Sequence, residues 1–283
     1  MAKILQGKPV ADHLMAQTKE KTDALRSKGI EPVLALFRVG EREDDLAYER
    51  GALKKCETAG ITPKSVVLPE NTSQEELFLE FQKVNEDPSV HGILLFQPLP
   101  KHLSVTPLKE VFSPEKDVDG CTEGSLAGVF TGSGRGFSPC TAQAVMEMLS
   151  YYEIDPKGKN AVILGRSLVI GRPVSMLLMH QNATVTICHT KTRDTAKIAS
   201  EAELLICAVG RMRSVGREFT NPGQIVIDVG IHWDEEQKKM CGDVDFNAVE
   251  PYVSAISPVP GGLGSVTSAV LCSHVAEAAR KRL

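Results

Sequence analysis

Apolar and polar positions along this chain fall into blocks that switch between helical and strand spacing. Residues 9–27 are charged but carry an apolar stripe through Val10, Leu14, Ala24 and Leu25, and Gly29 ends the segment, which predicts a surface helix. Residues 32–39 form a continuous apolar run, expected to be a buried strand. Residues 46–59 return to helical spacing before Gly60, and 65–68 are strand-like. Ser73 and Glu76 have the spacing of a capping box at a helix start. Residues 92–96 predict another buried strand, leading into the rigid turn Gln97-Pro98-Leu99-Pro100. The Gly/Ser-rich stretch 124–136 reads as a loop near a boundary, and 141–152 as a connecting helix.

The second half repeats the alternation. An apolar run from Asn160 breaks at Gly165, and Gly171 opens a helix with Pro173 in its first turn. Further apolar runs follow at 183–188, 202–210 and 224–230, the last two ending in glycine. Such runs suit parallel strands whose carboxyl ends face a ligand crevice. One βαβαβ pattern before residue 100 and another after 160 predict an α/β protein of two domains.

Composition narrows the class. A chain of 283 residues has room for two cores, and a net charge of −4 leaves no general footprint for nucleic acid. No apolar run approaches the roughly 20 residues of a membrane span, and the N-terminus lacks a signal-peptide core, so a cytoplasmic protein without membrane contact is expected. The seven cysteines are scattered without CxxC spacing and read as reduced, packed thiols. The seven histidines form no ligand pattern, and no metal site is expected.

The candidate chemistry begins at residues 160–173. Strand, glycine turn and helix N-terminus together suit a dinucleotide pyrophosphate, because unpaired N–H groups and the helix dipole both meet it. The spacing Gly165-x5-Gly171 is not G-x-G-x-x-G, and an ordinary βα turn has the same form. The run 183–188 ends in His189, Thr190, Lys191, Thr192 and Arg193, with no carboxylate until Asp194. NAD sites usually place a carboxylate there for the ribose 2′-OH. Hydroxyls and cations suit a 2′-phosphate instead, attracted by Arg166, Lys191 or Arg193. NADP is the expected cofactor, with NAD left open.

Several pieces in fixed order carry a resemblance. They are Leu5-Gln-Gly-Lys8, Tyr48, Gly92-Ile-Leu94 with Pro98-Leu-Pro100, Lys116-Asp-Val-Asp-Gly120, Pro139-Cys-Thr141 and Gly165-Arg-Ser167. Ala183-Thr-Val-Thr186 with Cys188-His189, Val226-Ile-Asp-Val-Gly-Ile231, Gly242-Asp-Val-Asp245 and Pro258-Val-Pro-Gly-Gly262 follow. The chain resembles the methylenetetrahydrofolate dehydrogenase/methenyltetrahydrofolate cyclohydrolase family nearly end to end. The resemblance implies an α/β substrate domain (1–138 with 268–283), a Rossmann-like parallel-sheet NAD(P) domain (139–267), and a C-terminal helix returning to the first. It also implies a cytosolic homodimer acting on a folate.

By the same resemblance, Tyr48 stacks beside the pterin or aminobenzoyl group and Asp119 accepts hydrogen bonds from the pterin edge. Gln97 and Pro98 join the substrate site. Pro260, Gly261, Gly262, Gly264 and Thr267 shape a loop between nicotinamide and folate. Gly165, Arg166 and Ser167 line the phosphates and adenosine ribose, Thr190 reaches the 2′ position, and backbone at Gly230 and Ile231 meets the nicotinamide half.

The departures bear on activity. Oxidising the methylene bridge mainly requires alignment with the nicotinamide, whereas hydrolysing the methenyl product needs positioned acid–base groups, typically contributing ~10²–10⁴-fold. The family base is a lysine four residues after the tyrosine, where this chain has Ala52, and its supporting glutamine is replaced by Phe96. Gln97, Lys54 and Lys55 are the nearby substitutes. At about 100° per residue Lys54 points away from Ala52, while Lys55 shares the face of Tyr48 but lies ~4.5 Å farther along the axis. As bare residues, both lysines read as solvated surface charges. Asp44 and Asp45 replace small residues, Thr141-Ala-Gln-Ala a Thr-Pro-x-Gly motif, and Gly264-Ser-Val-Thr267 a Gly-Pro-Met-Thr motif. The expectation is therefore a dehydrogenase with weak or lost cyclohydrolase activity. The alternatives are a bifunctional enzyme using Lys55 or another base, and a non-catalytic folate- or nucleotide-binding protein.

Overall fold

In a computed structural model that describes residues 1–282, the chain forms two compact units. One comprises Met1–Ala11 with Thr141–Thr267, and the other Asp12–Cys140 with the chain from Ser268 onward. A short strand β1 (Lys3–Ile4) and helix α1 (Gly7–Arg26) open the sequence.

The second of these units is built on strands β2 (Val33–Val39), β3 (Thr62–Leu68) and β4 (Gly92–Leu95), with helices α2 (Glu43–Ala59) and α3 (Gln74–Glu86) between them. All pairings are parallel, in the order β3-β2-β4. β2 is central and almost wholly buried, which explains its unbroken apolar run, whereas edge strand β3 alternates with solvent. The core stacks Phe37, Phe81 and Phe112 edge to face, with successive ring centroids 5.4 and 5.1 Å apart. α3 begins with the capping box that Ser73 and Glu76 predict.

Helix α2 carries Tyr48, and the neighbouring residue fixes it to the sheet. Buried Glu49 accepts from Arg38 Nε of β2 at 2.7 Å and from Ser65 Oγ of β3 at 2.9 Å. Three acidic residues, Glu43, Asp44 and Asp45, occupy the first turn, where the helix dipole favours them. Beyond β4 come α4 (Thr106–Val111) and α5 (Glu123–Thr131). The latter corrects the expected loop at 124–136. Thr122 caps the helix by accepting from Ser125 N–H, and Gly132 ends it in the left-handed region at φ 68°. Glycine serves close packing there, because a side chain at Gly128 would strike the carbonyl of Arg135.

Apart from residues 1–11, the other unit opens with α6 (Cys140–Tyr151). It contains β5 (Asn160–Leu164), α7 (Gly171–His180), β6 (Thr184–Cys188), α8 (Thr195–Ser200), β7 (Leu204–Cys207) and β8 (Ile225–Asp228). An antiparallel hairpin of β9 (His232–Asp234) and β10 (Lys239–Cys241), then α9 (Phe246–Val249) and β11 (Ala255–Ile256), precede helix α10 (Leu263–Arg280). The sheet order is β1-β11-β8-β7-β5-β6, all parallel. The order reverses at β5, with β6 on one side and β7 on the other, so the carboxyl ends there open onto the ligand-binding switch point of a doubly wound sheet. Its core includes Val162, Leu164, Leu205, Val226 and Ile256. Residues 1–11 cluster with this unit because β1 pairs with β11, Lys3 opposite Ala255.

Candidate functional site

Tyr48 is large, aromatic and yet 43% exposed. Its ring meets Phe96 edge to face, with centroids 5.9 Å apart. Burial around its hydroxyl, with Asp119, Cys140 and Cys272 nearby, holds the phenol above its ordinary range, so it stays protonated. Asp119 is half-buried, and desolvation followed by the neighbouring Asp117 raises its carboxyl to about 6. The turn that carries it is firmly held. Asp117 accepts from Cys121 N–H at 3.0 Å and Thr122 N–H at 2.8 Å, and His274 Nδ1 lies 2.8 Å from the Val118 carbonyl. Gly120, at φ 70°, lies so close to the Ser138–Pro139 backbone that no side chain fits.

Ala52 and Phe96 are both buried, each 6% exposed, and bring no polar atom beyond the backbone. Lys54 is exposed, whereas Lys55 is half-buried and burial lowers its amine, offset in part by Cys272 and Asp12. Gln97 is exposed. Pro98 lines a cleft of about 610 Å³ together with Arg42, Lys101 and His102, and its carbonyl accepts from Arg42 Nη1 at 3.0 Å.

At the switch point of the larger sheet, Gly165 has φ 130°, and a side chain there would collide with the Ala208 carbonyl. One at Gly171 would collide with the Gly165 carbonyl. Both glycines bring backbone close, as a phosphate cradle requires. Ser167 Oγ accepts from Ile170 N–H at 3.1 Å, and Arg172 N–H donates to the Ser167 carbonyl, folding the turn into α7. Gly165, Arg166, Ser167 and Thr190 line one cavity of about 470 Å³ with Thr192 and Arg211. This donor set, cations and hydroxyls beside a glycine turn, fits a phosphorylated dinucleotide. Lys191 and Arg193 do not line that cavity. The 189–192 segment closes on itself, with Thr192 N–H donating to the His189 carbonyl at 2.8 Å; Lys191 and Arg193 are solvent-exposed, as are Arg166 and Arg211. Arg211, four residues beyond β7, also lines the cavity; its only sequence signal is a cation directly after Val-Gly.

A second cavity of about 190 Å³ gathers Gly230 and Ile231 with Pro260, Gly261 and Gly264. Thr267 lies outside it, and its hydroxyl donates to the Leu263 carbonyl at 3.2 Å within α10. Two buried carboxylates underlie these walls. Asp228 accepts from the N–H groups of Gly230 (2.9 Å), Asp243 (3.1 Å) and Val244 (2.9 Å), and burial raises it to about 6. Asp243 accepts from Val209, Gly210 and Arg211. Among the described residues no group of three or more His, Cys, Asp or Glu is arranged to hold a metal ion, and no helix is long and apolar enough to cross a membrane.

Residues 5–119 match the tetrahydrofolate dehydrogenase/cyclohydrolase catalytic domain, and 139–283 match the NAD(P)-binding domain of the same family. The bifunctional protein FolD of Clostridioides difficile is 50% identical over 277 residues, covering 98% of this chain and 96% of that protein. The bifunctional FolD methylenetetrahydrofolate dehydrogenase/cyclohydrolase of Campylobacter jejuni is a structural neighbour at 40% identity and TM-score 0.96, with all of both chains covered. The Trypanosoma brucei enzyme, solved with NADP and an inhibitor, has TM-score 0.90 at 32% identity, covering 99% of this chain and 98% of that one.

Proposed function

The chain belongs to the tetrahydrofolate dehydrogenase/cyclohydrolase family, and on that premise we propose that it oxidises 5,10-methylenetetrahydrofolate to the 5,10-methenyl form with NADP. The family's NAD(P)-binding domain and the NADP-bound relative support the cofactor. We assign residues 1–138 with 268–283 to the folate and 139–267 to the nucleotide, in a cytoplasmic homodimer.

The observation that carries the folate half is an exposed Tyr48 in the same electrostatic neighbourhood as the half-buried carboxyl of Asp119. Tyr48 offers an aromatic face for the flat part of the substrate, and Gln97 and Pro98 border it. Asp119, ionised above about pH 6, accepts from the pterin's amino and ring N–H donors. Gly165, Arg166, Ser167 and Thr190 hold the phosphates and adenosine ribose. Backbone at Gly230 and Ile231, with Pro260, Gly261, Gly264 and Thr267, shapes the nicotinamide side. When bound, NADP supplies the ring that accepts the hydride. The two nitrogens flanking the bridging carbon stabilise the resulting cation, so alignment is the protein's main contribution and no strong base is needed.

Two readings of the second step each have an observation behind them. Two of the relatives named above are called bifunctional and the third a dehydrogenase-cyclohydrolase, and they back retained cyclohydrolase activity better than its loss. On that reading Lys55, half-buried with a lowered amine, is the base. The opposing observation is the apolar Ala52–Phe96 pair where the family has lysine and glutamine. Mixing the purified chain with methenyltetrahydrofolate and following its decay against a buffer blank separates them. Decay that Lys55→Met removes supports the bifunctional reading, and decay at the blank rate supports loss. The named relatives, all enzymes, lend nothing to a non-catalytic binding protein.

A further inference from the structure

The motifs Val226-Ile-Asp-Val-Gly230 and Gly242-Asp-Val-Asp245 stand near no expected substrate contact except Gly230, yet Asp228 and Asp243 within them are buried and each accepts from three backbone N–H groups. Asp243 is fully buried. Its Oδ2 accepts from Val209 N–H at 2.5 Å and Gly210 N–H at 3.1 Å, and its Oδ1 from Arg211 N–H at 3.0 Å. His232 Nε2 sits 2.7 Å from the same Oδ1. Three consecutive N–H groups on one carboxylate fix the path of the chain as it leaves β7, and Gly210 takes the left-handed φ of 72° that this path demands. Asp243 is itself anchored, since its N–H donates to Asp228 Oδ1.

This turn ends in Arg211, which lines the same cavity as Arg166, Thr190 and Thr192. Among the described residues, neither guanidinium has a hydrogen-bond or ion-pair partner. Some other cations of the unit are neutralised within the chain, Arg213 by Asp234 at 2.5 Å and Lys159 by Glu203 at 3.6 Å. Two guanidinium groups without partners in the chain line one cavity, and together they suit a ligand group of charge near −2, since each can engage phosphate oxygens through a fork of N–H donors.

We propose that Arg211, held by the Asp243 clamp, is a second specificity residue for the nucleotide 2′-phosphate alongside Arg166. Asp243 is a positioning residue: it touches no ligand and acts by aiming Arg211. The inference rests on the NADP reading and deepens it. NAD lacks the group that Arg211 recognises, so the clamp sets selectivity between the two nucleotides rather than affinity for both.

Calorimetric titration of the full chain with NADP and with NAD, without folate, tests this. Losing one charge-assisted contact is expected to weaken NADP binding by about 10- to 100-fold in Arg211→Ala while NAD binding changes less than about threefold. Arg211→Lys should recover part of the NADP affinity. Asp243→Asn should give the same selective loss, and if that variant does not fold, the Arg211 pair carries the test alone. Equal loss of NADP and NAD in Arg211→Ala would assign the residue to the pyrophosphate and overturn the inference, as would unchanged NADP binding. Equal affinity of the wild-type chain for both nucleotides would instead overturn the NADP reading beneath it.

Discussion

Tyr48 points its exposed ring across the edge of Phe96, at 5.9 Å between centroids and 78° between planes. A glutamine at position 96 would present an acceptor and a donor to an amine at position 52. Phe96 presents neither, and Ala52 has no amine to orient. On the reading in which hydrolysis is lost, restoring both, with Ala52→Lys and Phe96→Gln together, is expected to raise methenyltetrahydrofolate hydrolysis by ~10²-fold or more over wild type, whereas a chain that already uses Lys55 should gain little. Either single change should do far less, since each group needs the other. Equal rates in the double variant and wild type would remove residues 52 and 96 from the chemistry.

The phenol of Tyr48 stays protonated at neutral pH, so its proposed contribution is a ring and not a proton. Tyr48→Phe should keep kcat within a few-fold. Tyr48→Ala should raise the folate KM by roughly tenfold, the scale of a lost stacking contact of ~1 kcal/mol or more. Steady-state kinetics of the two variants decide it, and a kcat collapse in Tyr48→Phe would contradict it.

Asp119 titrates near 6 in the folded chain against 3.8 for a free side chain. The folded state therefore holds the proton more tightly than the unfolded state. Its contribution to stability is complete below about pH 4 and is lost as pH rises through about 6. Folate recognition runs the other way, because the ionised form is the acceptor. kcat/KM for the folate should rise between roughly pH 5 and 7, and Asp119→Asn should flatten that limb while lessening the loss of thermal stability over the same interval. Asp228, also near 6, remains in both proteins, so the difference between them isolates Asp119.

Gly165 combines a φ of 130° with a direct approach to the Ala208 carbonyl. Gly165→Ala should destabilise the unit by roughly 1–3 kcal/mol from backbone strain alone, and weaken NADP and NAD together because it distorts the shared cradle. Thermal denaturation and nucleotide titration measure both effects. An unchanged melting temperature would show that the turn relaxes freely.

Local signals carried much of the fold. The Ser73–Glu76 capping box, the unbroken apolar run of β2 and the glycine break after β5 each depend on residues within a few positions. Residues 124–136 misled because their glycines looked like freedom, whereas Gly128 serves close contact with Arg135 and Thr122 supplies the cap. The pairing of Lys3–Ile4 with Ala255–Ile256 joins two-residue strands from opposite chain ends, too short to show a period. The site divided in the same way. Gly165 was visible as a break in a strand, but Arg211 depends on a carboxylate more than thirty positions away, and no spacing announces which cation after a strand will face a cavity. Lys191 and Arg193 had the right charge next to the right strand and lie outside the pocket.

The most direct test mixes 5,10-methylenetetrahydrofolate and NADP with the purified chain and follows NADPH absorbance, with Asp119→Asn in parallel. The account predicts folate-dependent NADPH formation by the wild-type chain and a marked loss of kcat/KM in the variant. No NADPH from the wild-type chain, with NADP binding intact by titration, would contradict it.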